Sequence, residues 1–386
     1  MSRPLLSRFG MPVTLVLVCS SLLWGGNPHP SYKVLSPISH GNLTIFPVVS
    51  SNTHDTSEFI TLDEGIRSAE VVITEAGRVG GLIRGPHHRV PVSGPQVNSL
   101  VLVNNSKHPL ILLAGEIVTG GKQDRVVGKD RVIPAESDPV DLGVFCVEPG
   151  RWTESSVQFS TMKSQMAQPS VRRKAMIAQD QRQVWDSVGF ANGAVLGAIT
   201  GHGTNAAPAS AGPSSYAKTF DDEKVRKIIA EQAAPVEQSY SSLIKQLRDQ
   251  HAVGVVVAVG GQLIWADLFA STPLLDKYWP KLVRSYAAEA VTTHTAAKPV
   301  SIAEAQQFLD KTEGTREMIE SEPGVYRQSE IIATNFKLFT LATLLPGTGF
   351  DLHISKIADV NAMTPEIGKL SAPSESGATR TERNRE

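Results

Sequence analysis

The stretch VGVVVAVGGQLIWADLF, residues 253–269, decides how the rest of the chain is read. Two runs rich in β-branched and aromatic residues flank Gly260-Gly261, a pair that readily takes the positive φ of a tight primed turn, so the stretch predicts a β-hairpin. Helical spacing borders it on both sides. Upstream, over residues 221–250, Val225, Ile228, Ile229, Gln232, Val236, Tyr240, Leu243, Ile244 and Leu247 recur by threes and fours, with Pro235 expected to kink or divide the helix. Downstream, residues 273–292 carry Leu274, Leu275, Tyr278, Leu282, Val283 and Tyr286 at the same spacing, and SIAEAQQFLDK reads as a short further helix. The strand-like runs SEIIATNF, KLFTLATLL and FDLHISKIA follow.

Earlier in the chain, residues 42–159 read as short strands with turn punctuation. NLTIFPVV opens them, NSLVLV and PLILLAGEIV flank NNSKH as a second hairpin, and PVDLGVFCVE ends at Pro149-Gly150, a turn pair that should return the chain through RWTESSVQF. Six to eight closely spaced strands suggest a sandwich or a partly closed barrel. Ser170 can cap a helix over residues 170–188 that Gly189 would end, and the Gly-, Ala- and Pro-rich residues 189–215 predict a flexible excursion. The expected class is α+β: a β-sandwich-like N-terminal half, residues 40–160, packed with a C-terminal half of helices and a β-hairpin, residues 216–360. Residues 370–386 have too little apolar content to order themselves.

A chain of 386 residues has length for two or three domains and can bury a core without metal or disulfide help. With 37 basic and 38 acidic residues and 19% charged overall, no nucleic-acid surface and no polybasic membrane patch is implied. Arg3 and Arg8 precede the apolar run MPVTLVLVC, and small residues follow at Ser20, Ser21, Gly25 and Gly26. That order is a secretory signal over residues 1–25, too short to span a bilayer. The expectation is an exported protein, periplasmic or extracellular, meeting a membrane only if this segment stays uncleaved. Cys146, in the apolar run GVFCVE, then has no cysteine partner and reads as a buried, inert thiol.

No motif names a reaction. AGEIVTGGK fails as a phosphate loop because Gly121 stands where lysine is needed and a strand follows. The histidines lack metal-ligand spacing, and the STMK of residues 160–163, a serine-lysine pattern, is repeated by SLIK at 242–245 with no accompanying motif. No catalytic residue, metal or cofactor is assigned. The dense charge between Glu116 and Arg151 remains. Turns of antiparallel strands alternate between sheet ends, so Glu116, Lys122, Gln123, Asp124, Arg125, Arg131, Glu148, Arg151 and Trp152 are candidate ligand-binding or acid/base residues on a shared rim. Guanidinium forks there suit a carboxylate or phosphate, and Trp152 with Trp185 could floor a cleft. The competing reading pairs Arg125, Arg131 and Arg151 with Asp124, Glu136 and Glu148 as cross-strand staples. No partner is assigned; an anionic small molecule or an envelope protein is the expectation.

The blocks LLAGEIVTGGKQDRV, IPAES, CVEPGRW, QVWDSV, VGVVVAVGGQLIWADLFAS and YWPKLVRSYAAEA, in this order, resemble the ARG and Rhodanese-Phosphatase-superfamily-associated protein domain over residues 40–343. The resemblance implies a β-rich unit followed by helices and a hairpin, and an activity that is undefined. The family name reflects association with ADP-ribosylglycohydrolase and rhodanese-phosphatase genes, which implies a link to ADP-ribose or phosphorylated ligands. Binding or scaffolding without catalysis is the leading expectation, and a hydrolase of a phosphorylated or ADP-ribosylated substrate, with Glu116, Asp124 or Glu148 as base, is the alternative.

Overall fold

The computed structural model describes residues 32–78, 97–200, 214–247, 250–296 and 298–359. The expected signal segment, the C-terminal tail and residues 201–213 of the expected excursion lie outside them. In chain order, β1 (Tyr32–Val34), β2 (Ile38–His40) and β3 (Leu43–Ser50) lead to β4 (Ile60–Thr61) and helix α1 (Leu62–Arg67). Then come β5 (Val71–Glu75), β6 (Ser99–Asn104), β7 (Leu110–Leu112), β8 (Ile117–Thr119) and β9 (Arg125–Val127). This part ends with β10 (Arg131–Ile133), β11 (Val140–Cys146) and β12 (Ser160–Thr161). The helices α2 (Pro169–Arg173), α3 (Gln181–Thr200), α4 (Tyr216–Phe220) and α5 (Glu223–Ile244) follow, with a π-helical turn over Lys174–Ala178. The remainder is β13 (His251–Val259), β14 (Gln262–Phe269), α6 (Thr272–Thr292), α7 (Ile302–Asp310), β15 (Thr315–Glu322), β16 (Tyr326–Ile332), β17 (Phe336–Thr343) and β18 (Asp351–Ala358).

The fold is α+β. The hairpin read from residues 253–269 is present as β13–β14, and its turn glycines have φ of 59° and 81°. Both central residues with positive φ match the twist of the flanking strands. This hairpin sits inside a nine-stranded antiparallel sheet of order β1-β3-β13-β14-β18-β17-β16-β15, with β2 also on β3. The run NLTIFPVV, expected among the N-terminal strands, therefore pairs with a strand some two hundred residues later. Its apolar residues fill both faces: Leu43 and Ile45 enter the main core, and Phe46 and Val48 enter a second one under α7.

The β-rich half forms a six-stranded ring of order β12-β8-β9-β11-β6-β5. A bridge between Thr74 and Gln158, and Phe159 N–H donating to Ile73 O at 2.9 Å, bring the start of β12 back to β5. Of the sandwich and the partly closed barrel that the strand spacing allows, this is the barrel. Its interior is aliphatic, filled by Val71, Ile73, Leu100, Leu102, Val118, Val127, Leu142 and Val144, with Phe159.

The second hairpin expected around NNSKH does not form: β6 pairs with β5 and β11, whereas β7 pairs with β10 and β4. Asn104 is the reason. Its buried amide donates to the carbonyls of His108 (2.9 Å) and Pro134 (2.8 Å) and accepts from Ser106, which steers the chain out of the barrel into a separate three-stranded sheet. RWTESSVQF is likewise mostly loop, regaining strand only at β12. Strand β15 went unread because TREMIESE is an edge strand exposed along most of its length and has no alternating apolar signal.

Helix α6 is the central spacer. Leu274, Leu275, Tyr278, Leu282, Val283 and Tyr286 are buried as its period predicts, but so are Lys281, Ser285 and Glu289, because other elements cover its remaining face. Ser285 donates to Ala167 O, and Glu289 accepts from Gln168 and from Ser170 N–H, so the stretch leading into α2 is bonded to the helix. Helix α5 runs through Pro235 as one element, and α3 runs through Gly189 and Gly193 to Thr200, so residues 189–200 are helical and not part of an excursion. Among the described residues no helix is long and apolar enough to cross a membrane.

Candidate functional site

Two loops of the barrel meet at one corner, the turn before β9 and the turn after β11. Arg151 ties them together: Nη1 donates to Gly121 O (2.9 Å) and Thr153 O (2.7 Å), Nη2 to Gly120 O (3.3 Å), and Nε to Glu148 Oε2 (2.6 Å). Nη2 also lies 3.4 Å from Asp124 Oδ1. Lys122 stands 5.0 Å from the ring centroid of Trp152, which is 45% exposed. Of the nine candidate residues, Lys122, Gln123, Asp124, Glu148, Arg151 and Trp152 thus gather at this corner. Gln123 donates to Glu148 O at 3.3 Å.

The carboxylates of the corner are buried and occupied. Asp124 Oδ1 accepts from Gly120 N–H (3.0 Å) and Oδ2 from Ser215 (2.9 Å). Burial, and then the neighbouring charge of Glu148, push its carboxyl up from the ordinary value. Glu148 accepts from Asp124 N–H (3.1 Å), Arg151 and Lys218 (2.9 Å). Burial opposes its ionisation, but Arg151 and Lys218 outweigh it and hold the carboxyl below the usual range. Arg125 is not on the rim. It projects inside the barrel wholly buried, opposite Cys146 on β11 and Val118 on β8, and burial pulls its guanidinium below the ordinary value. The Cys146 thiol is buried as expected, and burial pushes it up; Trp185 neighbours this thiol rather than the surface of Trp152.

The other two candidates lie elsewhere. Arg131 does not staple to Glu136; it reaches Glu320 on β15 at 2.9 Å. Glu116 faces Lys281 Nζ at 3.7 Å, accepts from Leu113 N–H at 3.0 Å, and is pushed up to about 7 by burial, with Lys281 opposing and Asp63 and Asp130 adding to the rise.

Beyond Glu116 runs a buried polar network that the sequence reading missed. Asp130 accepts from Ala114 N–H (2.7 Å) and from His353 Nδ1 (2.7 Å), and His353 Nε2 lies 3.1 Å from Asp267. Asp267 takes both terminal nitrogens of Arg172 and the hydroxyls of Ser355 and Tyr286. Every one of these side chains is 1% exposed or less. Arg172 also lies 4.7 Å over the Trp265 ring. A signal for the network existed only in part: Asp130 belongs to the charged stretch already singled out, but Arg172, Asp267 and His353 each look like an isolated polar residue in an apolar element. Among the described residues no group of histidine, cysteine and carboxylates is arranged to hold a metal ion.

A cleft of about 560 Å³ opens elsewhere, lined by His54, Asp55, Ser57, Glu58 and residues 346–350, with His54 stacked on Phe350 at 4.1 Å. None of the nine candidates lines it. The family model described as the ARG and Rhodanese-Phosphatase-superfamily-associated Protein domain matches residues 31–355. No curated protein and no solved structure matches the chain.

Proposed function

The chain belongs to the ARG and Rhodanese-Phosphatase-superfamily-associated Protein domain family, and from that premise we propose that it is an exported, non-catalytic binding or scaffolding protein whose outer corner holds an anionic ligand or partner. The observation that carries this reading is the corner itself, where Lys122 and the exposed Trp152 stand together on loops that Arg151 ties to each other. A cation beside an open aromatic face on a braced loop is a surface for an acidic partner that needs no reacting group. Export rests on the charged, apolar and small-residue order of residues 1–25.

Hydrolysis gains no support from the same geometry. A general base must reach the substrate's proton, yet Glu116, Asp124 and Glu148 are at most 4% exposed and each already accepts a hydrogen bond inside the protein. The corner arginine is equally committed to protein acceptors. The test is thermal melting of the protein with inorganic phosphate, ADP-ribose and an oligo-glutamate peptide, alongside Lys122→Ala and Trp152→Ala. The reading expects a rise in melting temperature for at least one anion that both substitutions abolish. A flat response across the panel, or a rise that both variants keep, removes it.

A further inference from the structure

Three charged or polar side chains, Glu75, Arg125 and Thr161, point into a barrel lined mainly by apolar residues, a face that Cys146 and Asn104 share by pairing with Arg125 and Val71. Cross-strand partners share a face: Thr161 lies opposite Val118, Val118 opposite Arg125, and Arg125 opposite Cys146. Val118 belongs to the interior cluster, so Thr161 and Arg125 face inward. Glu75 follows Val71 and Ile73 at the two-residue period and faces inward too.

Glu75, Arg125 and Thr161 each have buried atoms with no hydrogen-bond partner among the described residues: Nε and Nη2 of Arg125, Oε2 of Glu75 and Oγ1 of Thr161. Oε1 of Gln123, two residues before Arg125, is in the same condition. Among the described residues Arg125 keeps one weak bond, Nη1 to Asp124 O at 3.5 Å. Buried polar groups are satisfied in nearly all folded proteins, and a guanidinium is among the costliest to leave unsatisfied. Nε and Nη2 form the parallel edge of the guanidinium, the edge that receives two oxygens of one planar group side by side.

We propose that this inward edge of Arg125 is a binding site for a small monocarboxylate, separate from the outer corner. The bidentate edge matches a carboxylate, and the surrounding Val118, Val127 and Phe159 match a short apolar stem. A phosphate dianion is disfavoured, because one guanidinium would face it alongside the carboxylates of Glu75 and Asp124. The fork is covered, so entry requires local opening and binding is read after long equilibration.

The experiment compares melting of the full chain in acetate or propionate with melting in chloride and inorganic phosphate at equal ionic strength. A saturable rise of about 3–5 °C with the carboxylates, absent with the other two, is expected. Arg125→Lys, which keeps the charge but lacks the fork, should abolish it, while Lys122→Ala should keep it. Glu75→Gln, which removes a neighbouring negative charge, should tighten the apparent affinity, and it decides the matter if Arg125→Lys does not fold. No rise in the wild type, a rise unchanged by Arg125→Lys, or an affinity unchanged or weakened in Glu75→Gln overturns the site. A rise lost in Lys122→Ala and kept in Arg125→Lys also overturns it, while leaving the outer corner standing.

Discussion

Arg172 and Asp267, 95 residues apart in the chain, meet as a forked pair inside the core, Nη1 to Oδ2 at 2.8 Å and Nη2 to Oδ1 at 3.1 Å. Burial alone would raise the aspartate, but the charges of Arg172 and His353 override it and hold the carboxyl far below the usual range. The pair links α2 to β14, and through Ser355 and His353 it also holds β18.

Breaking this pair on one side should be severe. Arg172→Met takes the guanidinium from a buried carboxylate and leaves His353 as its one charged partner among the described residues, and it is expected to cost about 3–5 kcal/mol in urea unfolding. Replacing both partners by apolar residues of similar volume should recover most of that loss. A single substitution costing less than about 1 kcal/mol would show that the pair is not what holds α2 to the sheet.

Gly115 bears on the same pair. Its φ is +93°, and a Cβ built there would stand 2.7 Å from Arg172 Cδ. Gly115→Ala should therefore cost about 2 kcal/mol or more, combining backbone strain with displacement of the guanidinium. In an Arg172→Ala background the cost should shrink, because the Cγ and Cδ that meet the new Cβ are gone and only the strain remains. A double-mutant cycle measures the difference, and strict additivity would refute the clash.

His353 predicts a pH dependence. Burial by itself would lower its value, but Asp130 and Asp267 on either side raise it above the ordinary 6.5. The folded state then holds the proton more tightly than the unfolded state does. The resulting stability is fully present below about pH 6.5 and is lost as pH rises through the higher folded value. Wild type should lose stability relative to His353→Gln over that rise in equilibrium unfolding. A difference that does not change with pH would mean the imidazole is neutral throughout.

Glu116 carries the same sign for a different reason. Its carboxyl is pushed from 4.5 to about 7, chiefly by burial, against the pull of Lys281. Between these values the folded state binds more protons than the unfolded state, so stability falls as pH rises from about 4.5 and has lost this contribution above about 7. Glu116→Gln keeps the acceptor for Leu113 N–H and should remove that part of the slope, an effect of roughly 3 kcal/mol at full extent. Parallel pH profiles for the two proteins would contradict it.

Much of this architecture was legible in local pattern. The β13–β14 hairpin was readable because Gly260-Gly261 separates two apolar runs, and α6 because its buried residues keep the helical period. The corner of Lys122, Asp124, Glu148, Arg151 and Trp152 was readable because β9 and β11 are neighbours close in sequence. By contrast, the pairing of β3 with β13 has no local trace, since an edge and a central strand can carry the same apolar run. The inward turn of Arg125 was hidden for a related reason: a charged residue in a short strand reads as solvent-facing, and only closure of the barrel buries it.

By itself the sequence determined most, not all, of the strands and helices, where many of the turns fall, and that charge concentrates between Glu116 and Arg151, because period, turn chemistry and composition act over a few residues. Tertiary structure alone decided which of those charges share a neighbourhood. Ion pairs and buried hydrogen bonds act only within a few ångströms, so the joining of Arg172, Asp267, Asp130 and His353 exists only once α2, β14, β18 and the loop before β10 have packed together.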